Sequence, residues 1–233
     1  MSSNKIYFLP GTMCDQRLWQ QTFSQLPADI EPVYIDIPLA ESFEQIIFQL
    51  ALILPKEQVN LVGFSLGGYV ASLFACLYPQ RINKLLISAN SPLALPLFEL
   101  AQRKIAVSAI SKFGYQGVPL IKIHSMLAKE NMHNQEIVEL IQAMDKTGGI
   151  DKLLSQLKAT SQRTNLLPQL SELQIKTHFV HGDQDNLVNN ALISAATAAD
   201  SISHCVIDNC GHMCPLEAPQ KLAEQITNFF GYV

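Results

Sequence analysis

A serine flanked by glycines marks the first stretch with chemical potential: residues 63–67 read Gly63-Phe64-Ser65-Leu66-Gly67. They fit the pattern G-x-S-x-G, which places a serine on a sharp turn between a strand and a helix. Glycines two positions before and after the serine remove side chains that would collide in that turn. The apolar run VNLV precedes the turn and the helix-like run GGYVASLFACL follows it. This context predicts Ser65 as the nucleophile of an acyl-transfer reaction.

A serine hydroxyl is a weak nucleophile near neutral pH and needs a base. His212 lies in the segment DNCGHMCPLEAP, directly after the last strand-like run. Loops at the carboxyl ends of parallel strands carry the sites of such folds, and the chain order Ser-Asp-His places the histidine last. We therefore predict His212 as the base, while His181 ends a strand-like run and could line the site. The other histidines lie in helix-rich sequence or within strand-like runs: His124, His133, His178 and His204.

The base in turn needs a carboxylate that fixes its tautomer and stabilises the imidazolium. The segment HFVHGDQDNLV offers Asp183 and Asp185, both after the fifth strand-like run. Spacing alone does not choose between them, and one of the two could instead cap a helix. Asp208 ends the sixth run and is a poorer candidate.

The tetrahedral intermediate of acyl transfer needs two hydrogen-bond donors for its oxyanion. One donor is the backbone N–H after the nucleophile, which here belongs to Leu66. The other comes from the loop after the first strand, here LPGTMCD. Gly11 allows a tight turn in this loop, so we predict the N–H of Thr12 as the second donor.

Metal chemistry is a weaker interpretation of the C-terminal segment HCVIDNCGHMC, which clusters histidines and cysteines. The segment has no C-x-x-C pair, and Cys205 lies in a strand-like run. The odd count of five cysteines argues against a disulfide framework in a chain of this length. We expect free thiols, no metal and no cofactor.

Short apolar runs alternate with amphipathic segments along most of the chain. Most of these runs are uncharged within, as in parallel strands buried on both faces. They cover 5–9, 32–37, 58–64, 82–89, 176–182 and 204–208. Helix-like segments separate most of them, which predicts βαβ units and a doubly wound sheet. The chemistry-bearing residues then fall in loops at one edge of that sheet.

Residues 91–174 interrupt this alternation, because they hold helix-like segments and no good strand. Residues 92–176 carry ten Lys or Arg and seven Asp or Glu, a balance of +3, against −7 for the remainder. Solvated helix faces explain this surplus most simply. The alternative is a surface that meets an anionic substrate or an acidic partner.

Bulk composition excludes several other classes of protein. The 233 residues are 48% hydrophobic, with a net charge of −4, so the chain can bury a sizeable core and is not expected to bind nucleic acid. No apolar run reaches the length of a membrane span, and none after Lys5 suggests a cleaved signal. We expect a cytoplasmic protein, and the sequence leaves its oligomeric state open.

The chain resembles the α/β-hydrolase superfamily, in its single-cap branch, and is similar to pimeloyl-carrier-protein methyl ester esterases and related carboxylesterases. The segments that carry the resemblance are FLPGTMCDQRLW, LVGFSLGGYVASLFACLYPQRINKLLI, THFVHGDQDNLV and DNCGHMCPLEAPQKLAEQITNFF. It implies a catalytic triad of Ser65 and His212 with Asp185, since the family pattern G-x-x-D over residues 182–185 selects the second aspartate.

The resemblance also implies an α/β fold with a doubly wound, mostly parallel six-stranded sheet. Because the chain starts on what the family counts as its third strand, we expect the two leading strands to be absent and the order to be 2-1-3-4-5-6. The implied domains are a core of residues 1–90 and 175–233 and a helical cap insertion of residues 91–174. Two local departures are Pro10-Gly11 in place of His-Gly and DNLVNN in place of a proline beyond the acid.

The cap sets specificity in this family, and its sequence here is mostly aliphatic, which suits an apolar group. Arginines there could grip a carboxylate or phosphate. We expect the substrate pocket to include Met13, Phe64, Arg103, Arg163 and Met213.

The sequence thus predicts a serine hydrolase that cleaves a carboxylic ester of a small, largely apolar substrate through an acyl-enzyme. A thioesterase, or an esterase for a methyl ester on an acidic acyl carrier, is an alternative. A non-catalytic ligand-binding protein on the same fold is an alternative of another class.

Overall fold

The computed structural model describes residues 4–232. Residues 1–3 and 233 lie outside this part of the chain. They are the two ends of the predicted core domain, and the first three also begin the N-terminal segment for which no cleaved signal is expected. The strands are β1 (Lys5–Leu9), β2 (Glu31–Tyr34), β3 (Val59–Phe64), β4 (Ile82–Ser88), β5 (Lys176–Gly182) and β6 (Ile202–Ile207).

The six strands form one sheet in the order β2-β1-β3-β4-β5-β6, and every neighbouring pair is parallel. The predicted fold class and strand order are therefore confirmed. The central strand β3 is buried along its whole length, including its one polar residue, Asn60, as the mostly apolar sequence indicates. The last strand, β6, begins two residues earlier than predicted, because Ile202 and Ser203 extend its pairing with β5.

Helices connect the strands and cover both faces of the sheet. They are α1 (Gln20–Ser24), α2 (Phe43–Ile53), α3 (Leu66–Leu77), α4 (Leu97–Phe113), α5 (Leu120–Met126), α6 (Gln135–Ala159), α7 (Leu167–Glu172), α8 (Asn190–Ala196), α9 (Cys214–Glu217) and α10 (Pro219–Phe230). Two 3₁₀ turns, Gln16–Trp19 and Pro79–Arg81, precede α1 and β4. The segment between β1 and β2 thus contains a 3₁₀ turn followed by a short helix.

Two apolar layers flank the sheet. On one face Leu50 of α2 and Phe74 of α3 pack with strand residues such as Leu61. On the other face Trp19 and Leu222 of α10 belong to a second cluster. Burying both faces leaves the carboxyl ends of the strands as the edge at which loops can build a site.

Four helices, α4 to α7, lie between β4 and β5. Helix α4 contains no buried residue, whereas α6 buries several. Helix α6 is interrupted by a kink at Gly149, whose φ of 69° and ψ of −177° are not helical, so two helical segments meet there. The division into a core domain and a cap of residues 91–174 stays a prediction.

Within residues 4–232 we find no helix with both the length and the apolarity needed to cross a bilayer. Every one of the cysteines is a free thiol.

Candidate active site

Ser65 sits on the turn between β3 and α3. Its backbone has φ 50° and ψ −114°, a conformation that a non-glycine residue rarely adopts. The Ser65 N–H donates to the Ser88 carbonyl of β4 at 2.9 Å, which ties the turn to the neighbouring strand. A Cβ at Gly67 would lie 2.5 Å from the Pro10 carbonyl oxygen, and one at Gly63 would collide with the Gly67 carbonyl. The two glycines therefore allow the backbone approaches that hold this turn closed.

His212 lies in the loop between β6 and α9. Its Nε2 is 3.0 Å from the Ser65 Oγ, and its Nδ1 is 2.9 Å from an Asp185 carboxylate oxygen. The two side chains are well buried, since only 6% of His212 and 5% of Asp185 is exposed. The structure thus brings the three residues of the predicted triad into one hydrogen-bonded chain. Their catalytic roles stay a prediction.

The two aspartates after β5 have different partners. The second oxygen of Asp185 accepts the Leu187 N–H at 2.9 Å, which orients the carboxylate toward His212. Asp183 accepts the Cys210 N–H at 3.0 Å and so fastens its loop to the loop of His212. This separation of contacts is the geometric basis for preferring Asp185 as the acid.

The predicted oxyanion donors flank the serine turn. Leu66 is the first residue of α3, so its N–H has no carbonyl acceptor within the helix. Among residues 4–232, no backbone hydrogen bond uses the Thr12 N–H. The next N–H along, that of Met13, donates to the Gln156 side-chain oxygen at 2.9 Å, and Met13 has a left-handed φ of 58°.

Three of the predicted pocket residues are apolar and lie next to these groups. Phe64 packs against the imidazole of His212, with ring centroids 5.4 Å apart. Met13 follows Thr12 directly and Met213 follows His212, and both are buried. Of the three, only the Phe64 ring has a described contact with the imidazole, and the two methionines adjoin Thr12 and His212 along the chain.

The two predicted arginines meet at Thr160, at the end of α6. Arg103 pairs with Glu99 at 3.1 Å and also donates to Thr160. Arg163 donates to the Thr160 carbonyl at 3.1 Å and lies over the Tyr69 ring at 4.8 Å. Burial lowers the pKa of Arg163 to about 10, and the nearby charge of Arg103 acts in the same direction. Contact of either arginine with a substrate stays a prediction.

Sequence reasoning missed a set of contacts between the His212 loop and the segment after α5. The His212 N–H donates to the Met126 carbonyl at 2.7 Å. One oxygen of Glu217 accepts from the Ala128 N–H at 2.7 Å and from Asn131 at 3.1 Å. Its other oxygen accepts the Met213 N–H at 3.0 Å. Glu217 lies five positions after His212, but its partner Ala128 is 89 positions away, beyond any local sequence signal.

A Cβ at Gly211 would lie 2.5 Å from the Ala128 nitrogen, so the two segments pack backbone against backbone. His212 is therefore positioned from two sides, by Asp185 through its ring and by the segment 126–131 through its main chain.

Strand β5 contains two histidines, His178 and His181, that form no hydrogen bond with Ser65, Asp185 or His212 in the described part of the chain. His178 contacts Ser203 at 2.8 Å and Gln225 at 3.2 Å, which fits a structural role. His181 is buried and stacks on His204 with centroids 6.1 Å apart, and its ring nitrogens have no hydrogen-bond partner within residues 4–232. Burial lowers the pKa of both rings.

A cavity of about 630 Å³ lies away from the predicted site residues, between α6 and the segment 115–118. Asp145, a buried residue of its lining, accepts hydrogen bonds from the Tyr115 hydroxyl at 2.5 Å and from the Val118 N–H at 3.0 Å. In the described part of the chain, no three His, Cys, Asp or Glu side chains are grouped so that they could hold a metal ion.

A parallel sheet in this order, with a serine on the turn after its central strand, defines the chain as an α/β-hydrolase. Solved structures share the fold: an esterase from Thermogutta terrifontis superimposes with a TM-score of 0.84 at 20% identity, over 97% of this chain and 89% of its own. MenH from S. aureus gives a TM-score of 0.76 at 20% identity, over 100% and 95% of the two chains.

The sequence profile of the Ndr family matches residues 28–232, and the chain belongs to that family. Among curated proteins, the monoacylglycerol lipase ABHD6 of Mus musculus is 25% identical over 98% of this chain and 76% of its own length. The biotin biosynthesis bifunctional protein BioHC of Teredinibacter turnerae is 28% identical over 96% of this chain and 44% of its own.

Proposed function

We propose that this protein is a serine hydrolase that cleaves a carboxylic ester of a small, largely apolar substrate. The observation that carries the proposal is the hydrogen-bonded chain from Ser65 through His212 to Asp185, with distances of 3.0 and 2.9 Å. Such a chain lets a neutral imidazole remove the serine proton as the hydroxyl attacks. The names of the relatives, a monoacylglycerol lipase and an esterase, support the same class of reaction.

In the first half of the proposed reaction, the Ser65 Oγ attacks the ester carbonyl while the His212 Nε2 takes the hydroxyl proton. Asp185 accepts the Nδ1–H and stabilises the imidazolium. The N–H groups of Thr12 and Leu66 then donate to the oxyanion. As the tetrahedral intermediate collapses, the bond to the alcohol breaks and His212 returns the proton to the leaving oxygen, which leaves an acyl-enzyme.

In the second half, His212 removes a proton from water, and the resulting hydroxide attacks the acyl carbonyl. Collapse of the second intermediate breaks the bond to Ser65, which regains its proton from His212. The free acid then departs, and no oxidant, reductant or cofactor is consumed.

The surround of the serine supports an apolar substrate. Phe64 packs on the His212 ring, and Met13 and Met213 are buried residues next to Thr12 and His212 in the chain. An apolar lining of this kind favours an aliphatic group over a charged one. In this proposal Arg103 and Arg163, which both contact Thr160, would bind a polar end of the substrate.

A panel of p-nitrophenyl esters of increasing acyl length, with the Ser65→Ala variant beside the wild type, tests the proposal. We expect hydrolysis of the short esters to fall by roughly 10⁴-fold or more in the variant, because no other group supplies the nucleophile. A fluorophosphonate probe should label Ser65 of the wild type only. Equal hydrolysis by the two proteins would contradict the mechanism, and a folded wild type that the probe leaves unlabelled would favour a non-catalytic binding protein.

The surplus of positive charge in residues 92–176 favours one second candidate, an esterase or thioesterase whose substrate is carried by an acidic acyl carrier. The discriminating measurement compares kcat/KM for a free methyl ester with that for the same ester on a carrier protein, at low and high salt. The carrier form should be preferred, and the preference should weaken as salt screens the charges.

A further inference from the structure

The side chain of Gln156 combines two features that a purely structural residue does not need. Only 3% of Gln156 is exposed, and its Oε1 accepts the Met13 N–H at 2.9 Å. Its Nε2 has no hydrogen-bond partner in the described part of the chain. Because the Met13 N–H is a donor, it fixes which end of the amide is the oxygen and leaves the NH₂ group unpaired.

The unpaired NH₂ group lies close to the predicted oxyanion loop. The amide oxygen and nitrogen share one carbon, so Nε2 is within about 5 Å of a Met13 nitrogen that Oε1 contacts at 2.9 Å. Thr12, whose N–H is the predicted oxyanion donor, is the preceding residue. The Gln156 amide therefore lies beside the loop that is predicted to hold the ester carbonyl.

Helix α6 is fixed over this loop, so the amide is positioned before any ligand binds. Lys152, one turn before Gln156, donates to the Cys14 carbonyl at 3.1 Å and to Asp36 at 2.9 Å. Thr160, one turn after, donates its hydroxyl to the Gln156 carbonyl at 2.5 Å. The turns of Lys152 and Gln156 thus hold one face of α6 against the loops after β1 and β2.

A buried donor without an acceptor is costly, and native proteins rarely keep one without a role. The Met13 N–H alone does not require glutamine, because a glutamate would offer the same acceptor. Glutamine adds an uncharged N–H donor, and a ligand that carries an acceptor oxygen would satisfy this donor.

We propose that Gln156 Nε2 is a substrate-binding donor that selects an acyl group with a second acceptor oxygen, such as a ketone, beyond the ester carbonyl. This inference rests on the proposed function and deepens it, because it names a polar group within an otherwise apolar acyl chain. An acyl chain without that oxygen leaves the donor unpaired and binds less tightly.

Binding of matched esters to the Ser65→Ala protein tests the inference without turnover. The ligands are methyl hexanoate and its 3-oxo, 4-oxo and 5-oxo derivatives, which differ only by a carbonyl oxygen on the chain. We expect at least one oxo-ester to bind about tenfold more tightly than methyl hexanoate by isothermal titration calorimetry.

The Gln156→Glu variant keeps an acceptor for Met13 and removes the donor, so the preference should vanish or reverse. Gln156→Met, which removes both, should also lose it, whereas Gln135→Glu at the exposed start of α6 should keep it. A preference that survives Gln156→Glu, or equal binding of all four esters before substitution, overturns the inference.

The outcomes separate this inference from the proposed function. Equal binding of the esters together with Ser65-dependent hydrolysis by the wild type overturns the inference alone. An oxo preference without any Ser65-dependent hydrolysis overturns the proposed catalysis alone. Binding of none of the four esters overturns the inference, and the p-nitrophenyl ester assay then decides the proposed function by itself.

Discussion

The loops at the carboxyl edge of the sheet and the helices between β4 and β5 are built in different ways. Ser65, Asp185 and His212 are held by short hydrogen bonds among buried groups, at the ends of three parallel strands. Helix α4, by contrast, has no buried residue, and its Leu97 and Phe98 are 85% and 66% exposed. The side chains proposed for catalysis are therefore held in fixed positions, whereas α4 packs on the rest of the protein without burying any of its residues.

The contacts of α6 lie between these extremes. Its Lys152 and Gln156 bond the loops after β1 and β2, and its kink at Gly149 separates this part from the first half of the helix. If the contrast between the two regions is correct, substitutions at the sheet edge should lower the rate and those in the sheet layers should lower stability. Substitutions of the exposed apolar residues of α4, such as Leu97 and Phe98, should affect neither.

The largest expected effect is the loss of rate when Asp185, the second of the two aspartates after β5, is replaced. Asp185→Asn should lower kcat for a p-nitrophenyl ester by roughly 10⁴-fold, because the amide no longer holds the required histidine tautomer. Asp183→Asn removes the charge of the carboxylate that accepts the Cys210 N–H but keeps an acceptor oxygen. It should therefore change kcat by less than about tenfold. Similar losses in both variants would show that the two loops act as one unit.

The next effect concerns stability in the two regions. Phe74 of α3 is fully buried, so Phe74→Ala should lower the free energy of unfolding by about 3–5 kcal/mol. The same substitution at Phe98 of α4 should change it by no more than about 0.5 kcal/mol. Urea unfolding followed by circular dichroism measures both, and a large loss at Phe98 would mean that α4 is covered by a partner in solution.

A smaller effect on rate is expected at Glu217, which touches no substrate but positions the His212 loop. Glu217→Gln replaces one acceptor oxygen with an NH₂ group that faces a backbone donor, so kcat/KM should fall by roughly 10²-fold. The apparent pKa of the pH–rate profile should shift as well, which a general loss of stability does not produce. Glu224→Gln on the exposed side of α10 is the matched control, and equal losses in the two variants would remove the positioning role.

The smallest effect is the dependence of stability on pH. Burial lowers the pKa of His181 from 6.5, so between that value and the lowered pKa the unfolded chain binds more protons than the folded one. The free energy of unfolding should therefore fall as the pH drops below 6.5. His181→Gln should make this fall shallower, as measured by urea unfolding at pH 7 and pH 5, and an unchanged slope would contradict the assignment.

Local patterns were sufficient to predict the sheet but not the packing around its edge. The strands β1 and β5 have the limits that their apolar runs suggest, because each run is bounded by polar or glycine residues. The turn at Ser65 follows from glycine spacing, which is a local steric requirement. The limits of β6 were misjudged because Ser203 is paired despite its polar side chain.

The packing around the edge of the sheet depends on contacts between residues far apart in the sequence, and such contacts have no local sequence signature. Gln156 meets Met13 across 143 positions, and Glu217 meets Ala128 across 89. Sequence patterns identify which residue types are capable of chemistry in a loop. They do not show which helix of an insertion will cover that loop.

The hydrogen bond from the His212 N–H to the Met126 carbonyl has a consequence for the size of substrate that the site accepts. A ligand bulky enough to push the segment 126–131 outward pulls on the same main chain that holds the imidazole. Oversized esters should then bind without reacting, because making room for them displaces the proton acceptor. We expect such esters to act as competitive inhibitors, so that the upper size limit appears in kcat before it appears in binding.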